Sequence, residues 1–269
     1  MFERWAKWRR VVFFTRLCPS NINQCSLSSR YHRQIDGSMN ILGIDTSGRE
    51  GSLALRCNGQ CTGVRSLAKT GRRHAQTLVA EIDNLVRESG LEFTDLVGVA
   101  VSIGPGSFTG LRVGVTCAKT LAWATGCHVA AVDTLRVIAQ NAPDDIAGVH
   151  VISDAQRGEL FVGRYVRGED GLFARVDEIE IVAAPQWCAE RTTDCVVTGP
   201  GLDKYADRFT SSVRLLEPEQ RFPSASIVAR FGEQQIDAGE TADLWSLEPL
   251  YIRRSAAEEK RDGRRGSLA

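Results

Sequence analysis

The chain is predicted to be an α/β protein of two duplicated lobes, each a mixed sheet with flanking helices, and three observations lead there. Strand and helix patterns alternate from residue 39 onwards. An aspartate at a hairpin turn is followed by a Gly-Pro-Gly turn twice in the same order: Asp45 with Gly104-Pro105-Gly106, then Asp154 with Gly199-Pro200-Gly201, at separations of 59 and 45 residues. At 269 residues and 43% hydrophobic, the chain can also bury the core of one large domain or of two lobes of about 100 residues each.

The elements follow in order. Residues 40–45 alternate into an apolar strand, a turn occupies 46–51, and 52–56 returns as a second strand, a hairpin with a carboxylate at its turn. A third strand is expected at 61–67. Over 74–89, Leu78, Ile82, Leu85 and Val86 recur at helical spacing, and Gly90 is the expected stop. The nearly continuous apolar run 97–103 reads as a strand covered on both faces. A helix follows over 111–125, closed by Gly126, with Gly114, Cys117, Ala118 and Ala122 on adjoining turns for close packing. Pro143, Asp144 and Asp145 break the pattern, which places the lobe boundary near 142–148: a first lobe of 39–145 and a second of 146–254. In the second lobe, 149–163 reads as strand, Asp154 turn, strand, and 195–202 leads an apolar strand into Gly-Pro-Gly ahead of a helix. The charged tail 255–269 is expected to be disordered.

The segment 102–114 is the strongest candidate site. A strand runs into a glycine turn that opens a helix, where unpaired N–H groups and the hydroxyls of Ser107 and Thr109 can meet an anion. Asp45 and Thr46 with Gly104, Gly106, Ser107 and Thr109 are therefore the candidate phosphate or nucleotide residues. The alternative is a tight connection that binds nothing. No Lys-Ser or Lys-Thr follows the last glycine, as a P-loop requires, and Gly104-x-Gly106-x-x-x-Gly110 is one residue too long for the dinucleotide fingerprint. Asp45 can likewise orient a metal-bound phosphate or cap its own turn, the commoner use.

Composition removes other classes. Lys plus Arg equals Asp plus Glu at 33 each; residues 1–38 hold seven basic and two acidic side chains, so the remainder has 26 basic and 31 acidic. An acidic body is a poor unaided grip for nucleic acid. The eight cysteines form no C-x-x-C pair and read as reduced thiols, and the four histidines form no H-x-x-x-H pair, so no metal site is expected. No run of 18 apolar residues spans a membrane. Residues 1–38, basic and aromatic and then polar, are read as a disordered extension or a mis-assigned start before Met39, with a targeting arm as the alternative.

Three blocks resemble the bacterial TsaB family: Met39-Asn40-Ile41-Leu42-Gly43-Ile44-Asp45-Thr46-Ser47, His74-Ala75-Gln76, and the run from Gly104 to Gly114. Asp154-Ala155-Gln156-Arg157-Gly158-Glu159 and Pro249-Leu250-Tyr251-Ile252-Arg253 resemble its later blocks. The resemblance covers residues 39–253 and implies a fold shared with actin, the sugar kinases and the heat-shock ATPase. It implies a cytoplasmic subunit, silent in catalysis, of the machinery that forms N6-threonylcarbamoyladenosine at position 37 of tRNAs reading A-starting codons. The implied partners are a catalytic TsaD-like paralogue in a heterodimer and a TsaE-like ATPase, with tRNA met only through the complex and a homodimer when the chain is alone. No catalytic residue, metal or required cofactor is implied; weak or vestigial ATP or ADP binding is compatible with it.

The family's catalytic paralogue carries an H-x-x-x-H metal site, and here Leu78 stands where the second histidine would follow His74. The resemblance also implies pairing through helices 74–89 and 111–125, and the partner interface is expected at Leu78, Ile82, Leu85, Gly114, Ala118 and Leu121. The alternative is that both stripes face their own sheet. Arg112 is expected to be solvated, and Arg157 and Glu159 to form a weak turn pair. Two other activities fit the fold, an ATP-dependent small-molecule kinase and a metallopeptidase.

Overall fold

The computed structural model describes residues 38–67, 74–191 and 195–253. The readings of the first 38 residues, Ser38 aside, and of the tail 255–269 lie outside them. The first sheet is built from β1 (Asn40–Asp45), β2 (Ser52–Cys57), β3 (Gln60–Ser66), β4 (Gly98–Gly104) and β5 (His128–Asp133), in the order β3-β2-β1-β4-β5. β1 is antiparallel to β2 and parallel to β4, and β4 is parallel to β5. All six residues of β1 are buried, as its central position requires.

Two helices cover one face of this sheet. Helix α1 (His74–Glu88) turns Leu78, Ile82, Leu85 and Val86 onto Leu42, Ile44, Leu53, Leu55, Val99 and Val101. Helix α2 (Phe108–Thr125) adds Val115, Ala118 and Ala122 to the same core. It starts three residues earlier than the apolar pattern predicts, because Ser107 caps it by accepting from Gly110 N at 3.2 Å. It ends as expected at Gly126, in the left-handed region at φ 77°.

Helix α3 (Thr134–Ala139) leads into the second sheet: β6 (Gly148–Gln156), β7 (Glu159–Arg167), β8 (Phe173–Arg175), β9 (Glu180–Ala183), β10 (Val196–Thr198) and β11 (Arg214–Leu215). Its order is β11-β10-β6-β7-β8, with β9 also on β7. Read from the far end this is β8-β7-β6-β10-β11, the first sheet again, with the same two antiparallel and two parallel pairings. The duplicated mixed-sheet plan is therefore present. Helices α4 (Ala184–Glu190) and α5 (Leu202–Tyr205) pack on the second sheet through Trp187, Cys188, Leu202 and Tyr205.

One expectation is corrected by the last helix. Helix α6 (Ala225–Asp237) falls within the expected second lobe of 146–254, yet it packs on the free face of the first sheet. Val228, Ala229, Phe231 and Ile236 meet Ile41, Ala100, Ala130 and Val132 there. Without α6 that face would expose a row of apolar side chains, and burying it outweighs the longer connection, whose closure entropy grows only slowly with length.

Candidate functional site

The residues of the predicted anion site are brought together, the Asp45 turn packing against the glycine turn. β1 and β4 are parallel neighbours, so the Asp45 turn and the glycine turn emerge together at the carboxyl end of the sheet. Asp45, Thr46 and Ser47 are buried, while Gly106, Ser107 and Thr109 are exposed. Asp45 Oδ1 accepts from Ser47 Oγ at 2.7 Å and Ser47 N at 3.3 Å, the turn-capping geometry. Thr46 Oγ1 donates to Gly110 O at 2.7 Å, and Ser107 N donates to Ser47 O at 2.7 Å.

The glycines are explained by this contact. A Cβ at Gly110 would lie 2.0 Å from the Thr46 carbonyl oxygen, and one at Gly106 2.5 Å from that of Ser47. The carbonyl oxygens of Thr46 and Ser47 thus lie directly against Gly110 and Gly106, and the two turns pack on each other. The amide of Ser107 is already spent on one of them, and Gly110 N on the Ser107 cap. Gly104, held at φ 120°, instead serves the strand end, where its N–H donates to Thr134 Oγ1 at 3.0 Å.

The predicted interface is also corrected. Leu78, Ile82, Leu85, Gly114 and Ala118 are buried against their own sheet, and Leu121 is half-buried against the same core. A side chain with at most 1% of its surface exposed, as Leu78, Ile82 and Leu85 have, offers nothing to a partner. The small residues at 110, 114, 118 and 122 bring α2 down onto the sheet and the Thr46 turn. What faces solvent is the other side. Val79 on α1 is 65% exposed and Trp123 on α2 is 69% exposed. Trp123 lines a groove of about 220 Å³ with Lys119, Thr120, Leu244 and Trp245, the last 73% exposed.

Arg112, expected to be solvated, is clamped at the start of this face. Its guanidinium lies 3.8 Å from the Phe108 ring centroid and its Nε donates to Tyr251 Oη at 2.8 Å. Glu159 pairs with Arg253 from the C-terminal segment. The sequence held a signal for the outer face: Phe108, Arg112, Lys119 and Trp123 fall at helical spacing opposite the small residues.

The remaining reactive side chains are quiet. Cys195 Sγ lies 3.2 Å from His150 Nδ1, but burial, aided by Arg191 and Arg164, pushes the imidazole down to about 4, and burial pushes the thiol up. Both shifts favour neutral forms, so the pair is a thiol hydrogen-bonded to an imidazole and not an activated thiolate. Among the described residues all cysteines are free thiols, no group of three or more His, Cys, Asp or Glu can hold a metal, and no helix is long and apolar enough to cross a membrane. The side chain of His74 lies outside the described residues.

Residues 67–194 match the family model described as TsaD, tRNA N6-adenosine threonylcarbamoyltransferase. The tRNA threonylcarbamoyladenosine biosynthesis protein TsaB of Bacillus subtilis is 28% identical over 82% of this chain and 97% of its own. A Pseudomonas aeruginosa crystal structure, described as similar to the peptidase YeaZ, superposes with a TM-score of 0.70 at 25% identity, covering 80% of this chain and 100% of that one. The Escherichia coli TsaB protein is 30% identical over 84% of this chain and 100% of its own length, and the chain accordingly belongs to the TsaB family of tRNA threonylcarbamoyladenosine biosynthesis proteins.

Proposed function

We propose that the chain serves the formation of N6-threonylcarbamoyladenosine in tRNA as the non-catalytic subunit that pairs with, and activates, a TsaD-like paralogue. The observation that carries the reading is the outward side of α1 and α2. Val79 is exposed on α1 and Trp123 on α2, with Trp245 beside Trp123 across the groove. Large exposed aromatics beside an apolar groove are the composition of interface anchors. The match of residues 67–194 to the TsaD model supports a partner built on the same plan, so that two such helix pairs meet as a four-helix bundle. In this role tRNA is met through the complex, in the cytoplasm, a TsaE-like ATPase completes the machinery, and the chain alone self-associates through the same face. It needs no cofactor of its own. The carbonyl oxygens of Ser47 and Thr46 packed against Gly106 and Gly110 count against a kinase on this scaffold.

The test is coexpression of the chain with the TsaD paralogue of its own organism and size-exclusion chromatography. The wild-type chain elutes with its partner, and Trp123→Asp elutes alone with an unchanged circular-dichroism spectrum. Pairing of Trp123→Asp as tight as wild type would sink the assignment of this face.

A further inference from the structure

The half-buried arginines of the second lobe and its borders spend their guanidinium groups on backbone carbonyls. Arg136 donates to Phe173 O, Arg167 to Ala142 O and Pro143 O, Arg221 to Leu216 O and Arg253 to Ala155 O. Arg191, half-buried just past the end of α4, is different: its Nε is shielded from solvent and has no partner. A guanidinium stays charged at any working pH and carries five N–H donors, so shielding one without an acceptor is costly.

The groups around Arg191 form a cluster on the face of the second sheet that α4 covers. Its guanidinium stacks on Trp187, 4.8 Å from the ring centroid, and Trp187 meets His150 edge-on at 5.8 Å. His150 on β6 stands directly opposite Arg164 on β7, so their side chains emerge together on one face. Arg164 is exposed, and its guanidinium likewise has no hydrogen bond or ion pair among the described residues. Both arginines act on the same imidazole: after burial, Arg191 and then Arg164 disfavour the charged form of His150.

Two like charges gathered without a counter-ion leave room for one. Asp177 does not serve. It is exposed, it acts on His150 less than either arginine does, and it makes no ion pair with them among the described residues. Two guanidiniums against one exposed carboxylate leave a single positive charge, and guanidinium forks match the oxygens of a phosphate.

We propose that Arg164 and Arg191, beside His150, form a binding site for a phosphate group on the second lobe. Arg191 donates from the side shielded by Trp187, and Arg164 from the rim. Phosphate comes to such a site as a free ion or as the backbone of RNA, and the single net charge suits either the monoanion or a backbone phosphodiester. The cluster belongs to the second sheet and the pairing face to helices on the first, so the site stands independently of the function proposed above.

NMR titration of the full chain tests it, with His150 as the reporter. Inorganic phosphate bound by the two arginines offsets the fields that oppose protonation, so the His150 pKa should rise by about 1 unit over its value in chloride at equal ionic strength. The dissociation constant should be on the order of 1 mM or tighter. Arg191→Gln should weaken binding about tenfold or more, and Arg164→Gln, at an exposed position, should do so about tenfold and covers the case in which the first variant folds poorly. A His150 pKa moved neither by phosphate nor by a tRNA anticodon stem–loop overturns the site, as does binding that is undiminished in Arg164→Gln. The stem–loop also identifies the source of the phosphate. If it moves His150 at about a hundredth of the phosphate concentration, with a salt slope that falls by about 1 in Arg164→Gln, the site takes the RNA backbone. If phosphate moves His150 and the stem–loop does not, the site takes a free phosphate.

Discussion

Gly110 faces the Thr46 carbonyl at a distance no Cβ can share, so Gly110→Ala must push the β1–β2 turn and α2 apart. Separating them also strains the Thr46 Oγ1 bond to Gly110 O and the Ser107 N bond to Ser47 O. Overpacking of this kind should cost about 2–4 kcal/mol, read as a lowered urea midpoint. Ser107→Ala, which removes only the cap, should cost about 1 kcal/mol, and an equal loss in the two variants would contradict the steric account. His150 supplies a pH signature. Its folded pKa is depressed to about 4 by burial first and then by Arg191 and Arg164, so the unfolded chain binds the proton more readily. The stability this group permits is present above its ordinary value near 6.5 and is lost as pH falls towards 4. Allowing for its partial exposure, the loss is roughly 1–2 kcal/mol. Comparing unfolding free energies of wild type and His150→Gln between pH 7 and 4 isolates it, and parallel curves would show that His150 carries none of the slope.

At the level of elements, the sequence located α1, α2 and β1 to β4 closely, because their apolar spacing is set by the core they bury, and left β5, β8, β9 and β11 unassigned. It did not tell which core. Leu78, Ile82 and Leu85 have the same periodicity whether they meet a sheet in the same chain or a helix in another, and only burial separates the two. The small stripe of α2 misled for the same reason: close approach was legible at Gly114 and Ala118, but Gly114 meets Thr46 and Ala118 the core of the first sheet. Neighbouring positions on α1 make the distinction measurable. Leu78→Asp buries an unpaired charge and should cost at least about 3 kcal/mol, while Val79→Asp, one residue on and 65% exposed, should stay within about 0.5 kcal/mol. Thermal melting of the isolated chain reads both, and comparable losses would mean that α1 is rotated relative to this description.

Across the whole molecule, the two matched sheets were legible as repeated Asp and Gly-Pro-Gly turns, whereas the ties between them were not, since they join residues far apart in sequence and leave no period. Helix α3 contributes Val137 to the first lobe's core and Leu135, Ile138 and Ala139 to the second's. At its N-terminus Asp133, the last residue of β5, accepts from Leu135 N at 2.9 Å, Arg136 N at 3.3 Å and, across the lobes, Tyr165 Oη at 2.7 Å. Burial pushes the Asp133 carboxyl up and, with the adjoining carboxylate, holds the Tyr165 phenol well above its ordinary range, so the hydroxyl stays a donor. With the segment 242–253 crossing above, the lobes are joined at α3, at this hydrogen bond, at the Arg175–Asp133 ion pair and along Leu250 to Arg253. The wild-type chain should therefore unfold in one calorimetric transition. Tyr165→Phe removes one donor from a buried carboxylate without opening a cavity and should cost about 1–3 kcal/mol with the transition still single. Combined with Arg253→Ala, the lobes still keep α3, the Arg175–Asp133 ion pair and the crossing of Leu250, whose N–H donates to Ile103 O, so the transition should stay single with equal calorimetric and van't Hoff enthalpies. A transition that splits, with the calorimetric enthalpy exceeding the van't Hoff value, would show instead that Tyr165 and Arg253 are the ties that make the lobes one cooperative unit.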